Sequence, residues 1–256
     1  MELIDTHAHF TFSELEADIE GVLARSIAAG VTSWVTVATE PGGLEKAIQL
    51  AENHENMHVA LGYHPHYAKD VTEDDLSLLK QLAASDSVVA VGETGLDYHY
   101  NFSKQDAQKD IFRAQLNIAA ELNKPVILHT RNAFDESMAI LEEFTGKLKD
   151  VVVHCYSGTP EQTQLLLDRG YHISFTGIIT FKKSDETRIA AAMVPLDHLM
   201  VETDCPYISP EPVRNQRPNE PALMIHTAKK LAEVKGMELD EFATAVNATS
   251  KRFFGL

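Results

Sequence analysis

The feature that most restricts the fold of this chain is a rhythm. Short runs rich in Val, Ile and Leu fall near residues 2–6, 31–38, 57–62, 88–92, 125–129, 151–155, 171–176 and 198–203. Each is too short for a core helix and follows a turn-like or helix-ending signal, so each reads as a buried strand. Between them lie stretches with helical spacing at 14–29, 43–53, 73–84, 105–122, 133–145, 160–169 and 184–192, and the segment 220–250 reads as two more helices. Local signals agree with this reading. Thr72 precedes Glu73 and Asp74 as a cap followed by dipole-favourable charge, and Gly30 and Gly170 follow helical runs as C-terminal breakers. Eight nearly unbroken apolar strands alternating with helices predict a parallel sheet covered on its outer face, and eight is the number that closes into a (β/α)8 TIM barrel. A doubly wound open sheet is the alternative. The barrel gathers function at the C-terminal ends of many strands, whereas the open sheet uses mainly one crevice. No repeat, low-complexity tract or long linker interrupts the chain, so residues 1–256 are expected to form a single domain.

The polar residues favour the barrel. His7 and His9 follow the first run, His64 the third, Glu93 the fourth, His129 the fifth, His154 the sixth and Asp204 the eighth. All are metal-ligand types. His7 and His9, two residues apart in an extended segment, share a face. A surface histidine has no reason to recur where an apolar strand stops, and a buried one would need its own partner each time. Convergence on the C-terminal mouth of one barrel accounts for all of them together. These ligands exceed the three protein ligands of a mononuclear catalytic zinc site and suit two ions sharing a carboxylate, with Glu93 the natural bridge. Two cations about 3.5 to 4 Å apart can acidify a shared water and stabilise both the attacking and the leaving oxygen of a displacement. Asp204 is then placed to accept the proton of that water. Glu202 has the same strand parity as Asp204 and is expected to face inward, orienting the water or another ligand.

Charge and cysteine usage narrow the setting. The formal net charge of −16 disfavours non-specific binding to nucleic acid or anionic membrane, which Lys and Arg normally supply. No apolar run is long enough to span a bilayer, and the N-terminus lacks a basic stretch followed by an apolar one. A cytoplasmic address is therefore expected. Cys155 and Cys205 make no disulfide framework, fit a reducing compartment and are expected to pack.

The stretches DTHAH, GYHPH, GETGLDY, ILHTR, HCYSG and ETDCPY resemble the successive signatures of the TatD family of metal-dependent hydrolases, within the amidohydrolase-like barrels. They run through residues 5 to 207 in the family's order. The resemblance implies a (β/α)8 barrel, a divalent metal centre and phosphodiester hydrolysis, with deoxyribonuclease activity the family's usual description; the activity expected of this chain is of the 3'-5' exonuclease type. It implies one ion held by His7, His9, Glu93 and Asp204 and a second held by Glu93, His129 and His154. His64 and Glu202 become active-site residues outside that ligand set. Relatives of the wider superfamily that hydrolyse cyclic amides often bridge their metals with a modified lysine after the fourth strand, where this chain has Glu93.

Further residues bear on the substrate. His64, held by Pro65, can bind a phosphate oxygen or donate a proton to the leaving alkoxide; the alternative is a structural loop histidine. Arg131, two residues beyond His129, offers a planar fork for a phosphate oxygen, or pairs with Glu202 or Asp97. Asp97 and Tyr98 lie in a loop that can line the pocket, with Asp97 a partner for a ligating histidine. Two departures from the family pattern stand out: HCYSG in place of HCFSG, and RNQRPNEP, where Pro218 separates Arg217 from Asn219. Lys182 and Lys183 can attract a polyanion or simply lie in solvent. His54, His58, His99, His172, His198 and His226 have no comparable placement and read as structural or surface residues. The expected cofactors are two divalent ions, Mg, Mn or Zn, and the expected substrate is a DNA end or a small phosphodiester. No membrane and no obligate protein partner is expected. The alternative activity is amidohydrolase-type cleavage of a small C–N or C–O substrate by the same metal chemistry. A basic stripe with interleaved aromatics, usual in an extended nucleic-acid groove, is not visible in the sequence.

Overall fold

The computed structural model describes all residues 1–256. Its strands are β1 (Leu3–Ala8), β2 (Val31–Ala38), β3 (Met57–Leu61), β4 (Val88–Asp97), β5 (Val126–Arg131), β6 (Val151–Val153), β7 (His172–Phe175) and β8 (Leu199–Val201). They form one sheet in chain order from β1 to β8, with parallel pairing. Parallel neighbours require crossover connections, and helices supply them. These are α1 (Ser13–Glu16), α2 (Ile19–Ala28), α3 (Leu44–Glu52), α4 (Glu73–Ala83), α5 (Gln105–Leu122), α6 (Phe134–Glu142), α7 (Pro160–Asp168) and α8 (Asp185–Met193). Two more, α9 (Met224–Lys235) and α10 (Leu239–Phe254), follow β8. The fold is the (β/α)8 TIM barrel that the alternation predicts. No helix is long and apolar enough to cross a membrane.

The chain divides into two compact units, Met1–Thr36 with His154–Leu256, and Val37–Val153. In the first, the two ends of the strand order meet. Ala8 bridges Cys205 in parallel, the His9 amide donates to the Cys205 carbonyl at 2.8 Å, and the Asp204 amide donates to the His7 carbonyl at 2.9 Å. α10 holds the start of β1, with Asn247 Nδ2 donating to the Glu2 carbonyl (2.8 Å) and Asn247 Oδ1 accepting from the Ile4 amide (3.1 Å).

In the second unit β4 is the longest strand and is buried throughout. It pairs with β5 in a register that sets Gly95 against His129 and Asp97 against Arg131. Gly95 is required there: at φ +141, a Cβ would lie 1.9 Å from the His129 carbonyl oxygen. Two fully buried glutamines of α5 hold the strand ends. Gln115 accepts from the Tyr63 amide (2.7 Å) and donates to Thr94 Oγ1 (2.7 Å). Gln108 accepts from the Asp97 amide (2.8 Å) and donates to the carbonyls of Asp97 and Ser103.

Several boundaries differ from those read in the sequence. β4 continues to Asp97 because its ladder with β5 continues, so Glu93 lies inside the strand rather than after it, as do His7 in β1 and His129 in β5. β6 and β8 are shorter than expected, ending at Val153 and Val201. Beyond them Cys155 (φ 48) and Asp204 (φ 55) adopt left-handed backbone that no strand accommodates. The expected helix 14–29 breaks at Asp18 (φ −139, ψ 44), whose carboxylate turns back toward Gly21 and Arg25 Nη1 (3.1 Å). The helix expected over 133–145 ends at Glu142.

Candidate metal centre

In the first unit, the meeting of β1 with the segment after β8 builds a ligand cluster. His7 and His9 sit at the end of β1, and the left-handed turn at Asp204 brings its carboxylate back over them. His7 Nε2 lies 3.3 Å from His9 Nε2. Asp204 Oδ1 lies 3.4 Å from His9 Nε2 and 3.9 Å from His7 Nε2. Burial opposes ionisation of Asp204, but the His9 hydrogen bond and the charges of His154, His7 and His9 outweigh it and hold the carboxyl below its ordinary range.

Asp5, two residues upstream and fully buried, ties this turn down. It accepts from the Thr203 amide at 2.9 Å, the Thr203 hydroxyl at 2.6 Å and the His7 amide at 3.3 Å. Burial is the main reason its pKa is pushed up to about 7, against the pull of those hydrogen bonds. His154, immediately after β6, stacks on His7 with ring centroids 4.1 Å apart. Its Nδ1 lies 3.4 Å from Glu202 Oε1. Glu202 is almost completely buried and is itself fixed, accepting from the Cys155 amide (2.6 Å) and the Ser174 hydroxyl (2.7 Å).

The second unit carries its own cluster. His129 Nδ1 lies 2.7 Å from Glu93 Oε1, and His64 Nε2 lies 3.3 Å from His129 Nδ1 and 3.5 Å from Glu93 Oε1. Behind them Asp97 Oδ2 lies 3.2 Å from His129 Nε2 and 3.0 Å from His66 Nε2. Burial pushes the Asp97 carboxyl up, but the hydrogen bonds from His129, His66 and the Tyr100 amide prevail and hold it well below the carboxylate range. Asp97 is thus an acceptor. His129 Nε2–H donates to it, which leaves Nδ1 as the ring nitrogen that faces Glu93. His64 is the opposite case. Its Nδ1 accepts the His66 amide N–H at 3.1 Å, which in the neutral ring puts the proton on Nε2.

The donor sets fit metal ions. Four groupings, His7/His9/Asp204, His7/His154/Glu202, His64/Glu93/His129 and His64/His66/Asp97, each bring their ligand atoms within 4.8 Å of one another. Crowding imidazole nitrogens and carboxylate oxygens in buried positions is costly unless cations or protons are shared among them. Of the expected ligands, His7, His9 and Asp204 come together, as do Glu93 and His129. His154 groups with His7 and Glu202, and His64 lies against Glu93 and His129.

Other residues settle into simpler places. Arg131 Cζ lies 4.9 Å from the centroid of the Tyr100 ring, so its guanidinium rests on an aromatic face. In RNQRPNEP, the buried Asn219 donates to the carbonyls of Thr203 (3.2 Å) and Tyr207 (2.6 Å). Asn219 thus braces the Asp204 turn, and Glu220 ties the end of the loop to α2 by pairing with Arg25 Nη2 at 2.8 Å. Cys205 is fully buried and its thiol pKa is pushed up, mainly by that burial; neither cysteine is in a disulfide. Sequence reasoning missed His66 and Asp5. GYHPH repeats the His-x-His spacing of DTHAH, but Pro65–Tyr67 form a 3-10 turn in which strand parity does not apply.

A (β/α)8 barrel with imidazole–carboxylate clusters at its strand ends fits a metal-dependent hydrolase, and the relatives of this chain are of that class. Residues 4–255 match the family described as TatD related DNase. The chain is 36% identical over 252 residues, 98% of each protein, to an uncharacterised metal-dependent hydrolase, YabD, of Bacillus subtilis. It is 34% identical over 258 residues to the 3'-5' ssDNA/RNA exonuclease TatD of Citrobacter rodentium, covering 99% of this chain and 98% of that one. The crystal structure of YjjV, a TatD homologue from Escherichia coli, superposes with a TM-score of 0.93 at 32% identity, covering 99% of this chain and 98% of that one. The chain belongs to the TatD family.

Proposed function

We propose that this chain is a phosphodiesterase that cleaves single-stranded nucleic acid from its end, a 3'-5' exonuclease type of activity, with two divalent cations drawn from Mg, Mn and Zn. The observation that carries the reading is the pair of donor sets His7/His9/Asp204 and Glu93/His129 in a chain similar along its whole length to a named exonuclease. His154 completes the proposed ligand set. Divalent ions so held supply Lewis acidity and lower the pKa of water.

The remaining chemistry falls to side chains. Asp204, held ionised, accepts the proton of the attacking water. His64, with its proton on Nε2, is a donor: it serves a phosphate oxygen or the departing alkoxide rather than a cation. Arg131 offers a planar fork to a phosphate oxygen. Glu202 fixes His154 and the backbone at Cys155, and Asp97 fixes the tautomer of His129. We also propose that residues 1–256 act as one domain, since the family match runs from 4 to 255, and that the protein works in the cytoplasm, where cysteines outside disulfides are the norm.

The test uses purified protein, an end-labelled single strand and added Mg, Mn or Zn. Mononucleotides should be released by the native chain, and Glu93→Ala and His154→Ala should abolish release and lower bound metal in elemental analysis. Equal release by those variants would refute the reading. A side-by-side panel of amides and lactones addresses the C–N or C–O alternative.

A further inference from the structure

The loop after β4 holds two aromatic rings in solvent. Tyr100 and Phe102 are 49% and 56% exposed, yet they are ordered against each other, with centroids 5.3 Å apart and planes 6° from parallel. Scattered exposed apolar side chains need no explanation, but two that stack on a rigid loop form a patch. The loop is tied at both ends. Asp97 Oδ1 accepts the amides of His99 (2.9 Å) and Tyr100 (3.1 Å), Ser103 Oγ donates to the His66 carbonyl (2.8 Å), and Gln108 Nε2 bridges the carbonyls of Asp97 and Ser103. Asn101 takes the left-handed turn between the two rings.

The platform is also connected to the site. His66 meets both rings edge-on, at 4.8 Å from Phe102 and 5.6 Å from Tyr100. The His66 ring in turn lies 4.2 Å from that of His64. A single imidazole therefore separates the exposed rings from the proposed proton donor, and the Arg131 guanidinium rests on Tyr100.

We propose that Tyr100 and Phe102 form a stacking platform for an unpaired nucleobase of the strand being cut, so that its phosphate lies toward His64 and Arg131. The proposal rests on the phosphodiesterase reading and adds to it the base-binding element that the sequence pattern did not reveal. A chain with net charge −16 cannot draw most of its affinity for a polyanion from general electrostatics. Stacking on aromatic faces is insensitive to that charge and tolerant of base identity, and it is available only to a base outside a duplex. The platform thereby selects single strands and frayed ends.

The test measures binding with a nuclease-resistant phosphorothioate strand in Mg, carrying 2-aminopurine near its 3' end, whose fluorescence falls on stacking. The native protein should quench the probe, and Phe102→Ala should abolish the quench and weaken anisotropy-monitored binding by about 5- to 150-fold. Phe102→Trp should restore both. A strand with abasic residues at its two terminal positions should bind the native and Phe102→Ala proteins with affinities within about twofold. The proposal is overturned by an unchanged quench in Phe102→Ala, by equal loss on the abasic strand, or by no binding of the probe to native protein. Quenching with no cleavage of an ordinary strand would instead remove the phosphodiesterase reading and leave the platform in place.

Discussion

Asp97→Asn separates holding a metal ion from orienting the residue that holds it. Asp97 is buried; Oδ1 accepts the amides of His99 (2.9 Å) and Tyr100 (3.1 Å), and Oδ2 faces His129 Nε2 (3.2 Å) and His66 Nε2 (3.0 Å). The two backbone donors fix the orientation of the replacement, since an amide nitrogen placed against them would leave three donors facing one another. The asparagine oxygen must take the Oδ1 place, and its NH2 must face the two imidazoles. A donor facing His129 Nε2 forces the proton of the neutral ring onto Nδ1, the nitrogen 2.7 Å from Glu93 Oε1. That is the lone pair the proposed ion needs. Loss of such an outer partner costs about 10- to 100-fold in metal affinity, or about 1.4 to 2.7 kcal/mol. Competition titration with a chromophoric chelator should show that much weakening in one equivalent of metal, and the metal dependence of nuclease activity should shift right by the same factor. Affinities within twofold of native for every equivalent, in a variant with unchanged circular dichroism, would refute the tautomer argument.

Other expectations follow from the same structure. Gly95→Ala places a Cβ against the His129 carbonyl at 1.9 Å and should cost roughly 3 kcal/mol or more, read as loss of soluble protein or a collapse in Tm. Thr72→Ala removes the cap of α4, where Thr72 and Asp75 hold each other's backbone amides, and should cost about 1 kcal/mol in denaturant melts without changing metal content. The hydrogen bonds from Thr72 lower the Asp75 pKa below its unfolded value of 3.8. That contribution is therefore present above about pH 4 and lost as pH falls through the folded value, so the gap between native and Thr72→Ala stabilities should narrow in acid to what the Asp75 amide bond to Thr72 Oγ1 alone supplies. Chelation should lower Tm by roughly 5–10 °C for each ion removed, the linkage expected for an ion present at about 100 times its Kd; an unchanged Tm would show that the clusters are stable without cations.

Much of this architecture is legible in the sequence because its signals are local. The strands are nearly continuous apolar runs, and a histidine or acid where such a run stops is conspicuous, so His7, His9, Glu93, His129, His154 and Asp204 are visible without coordinates. Strand parity carries less. It places Glu202 and Asp204 on one face, but β8 ends at Val201 and the left-handed backbone at Asp204 resets the direction, so the two acids serve different histidines. Gln108 and Gln115 look like solvated positions of an amphipathic helix. They are fully buried because the ends of β3 and β4 leave backbone groups that need partners. Asp5 depends on Thr203, 198 positions away, and His66 depends on Asp97, 31 positions away. Periodicity reports which face a residue occupies, not what it meets there. The atoms that would hold an ion are therefore readable from the chain, while the atoms that orient them are visible only once distant segments come together. Glu93→Ala thus tests what the sequence already implies, whereas Asp97→Asn and the Tyr100–Phe102 platform test what only the folded chain reveals.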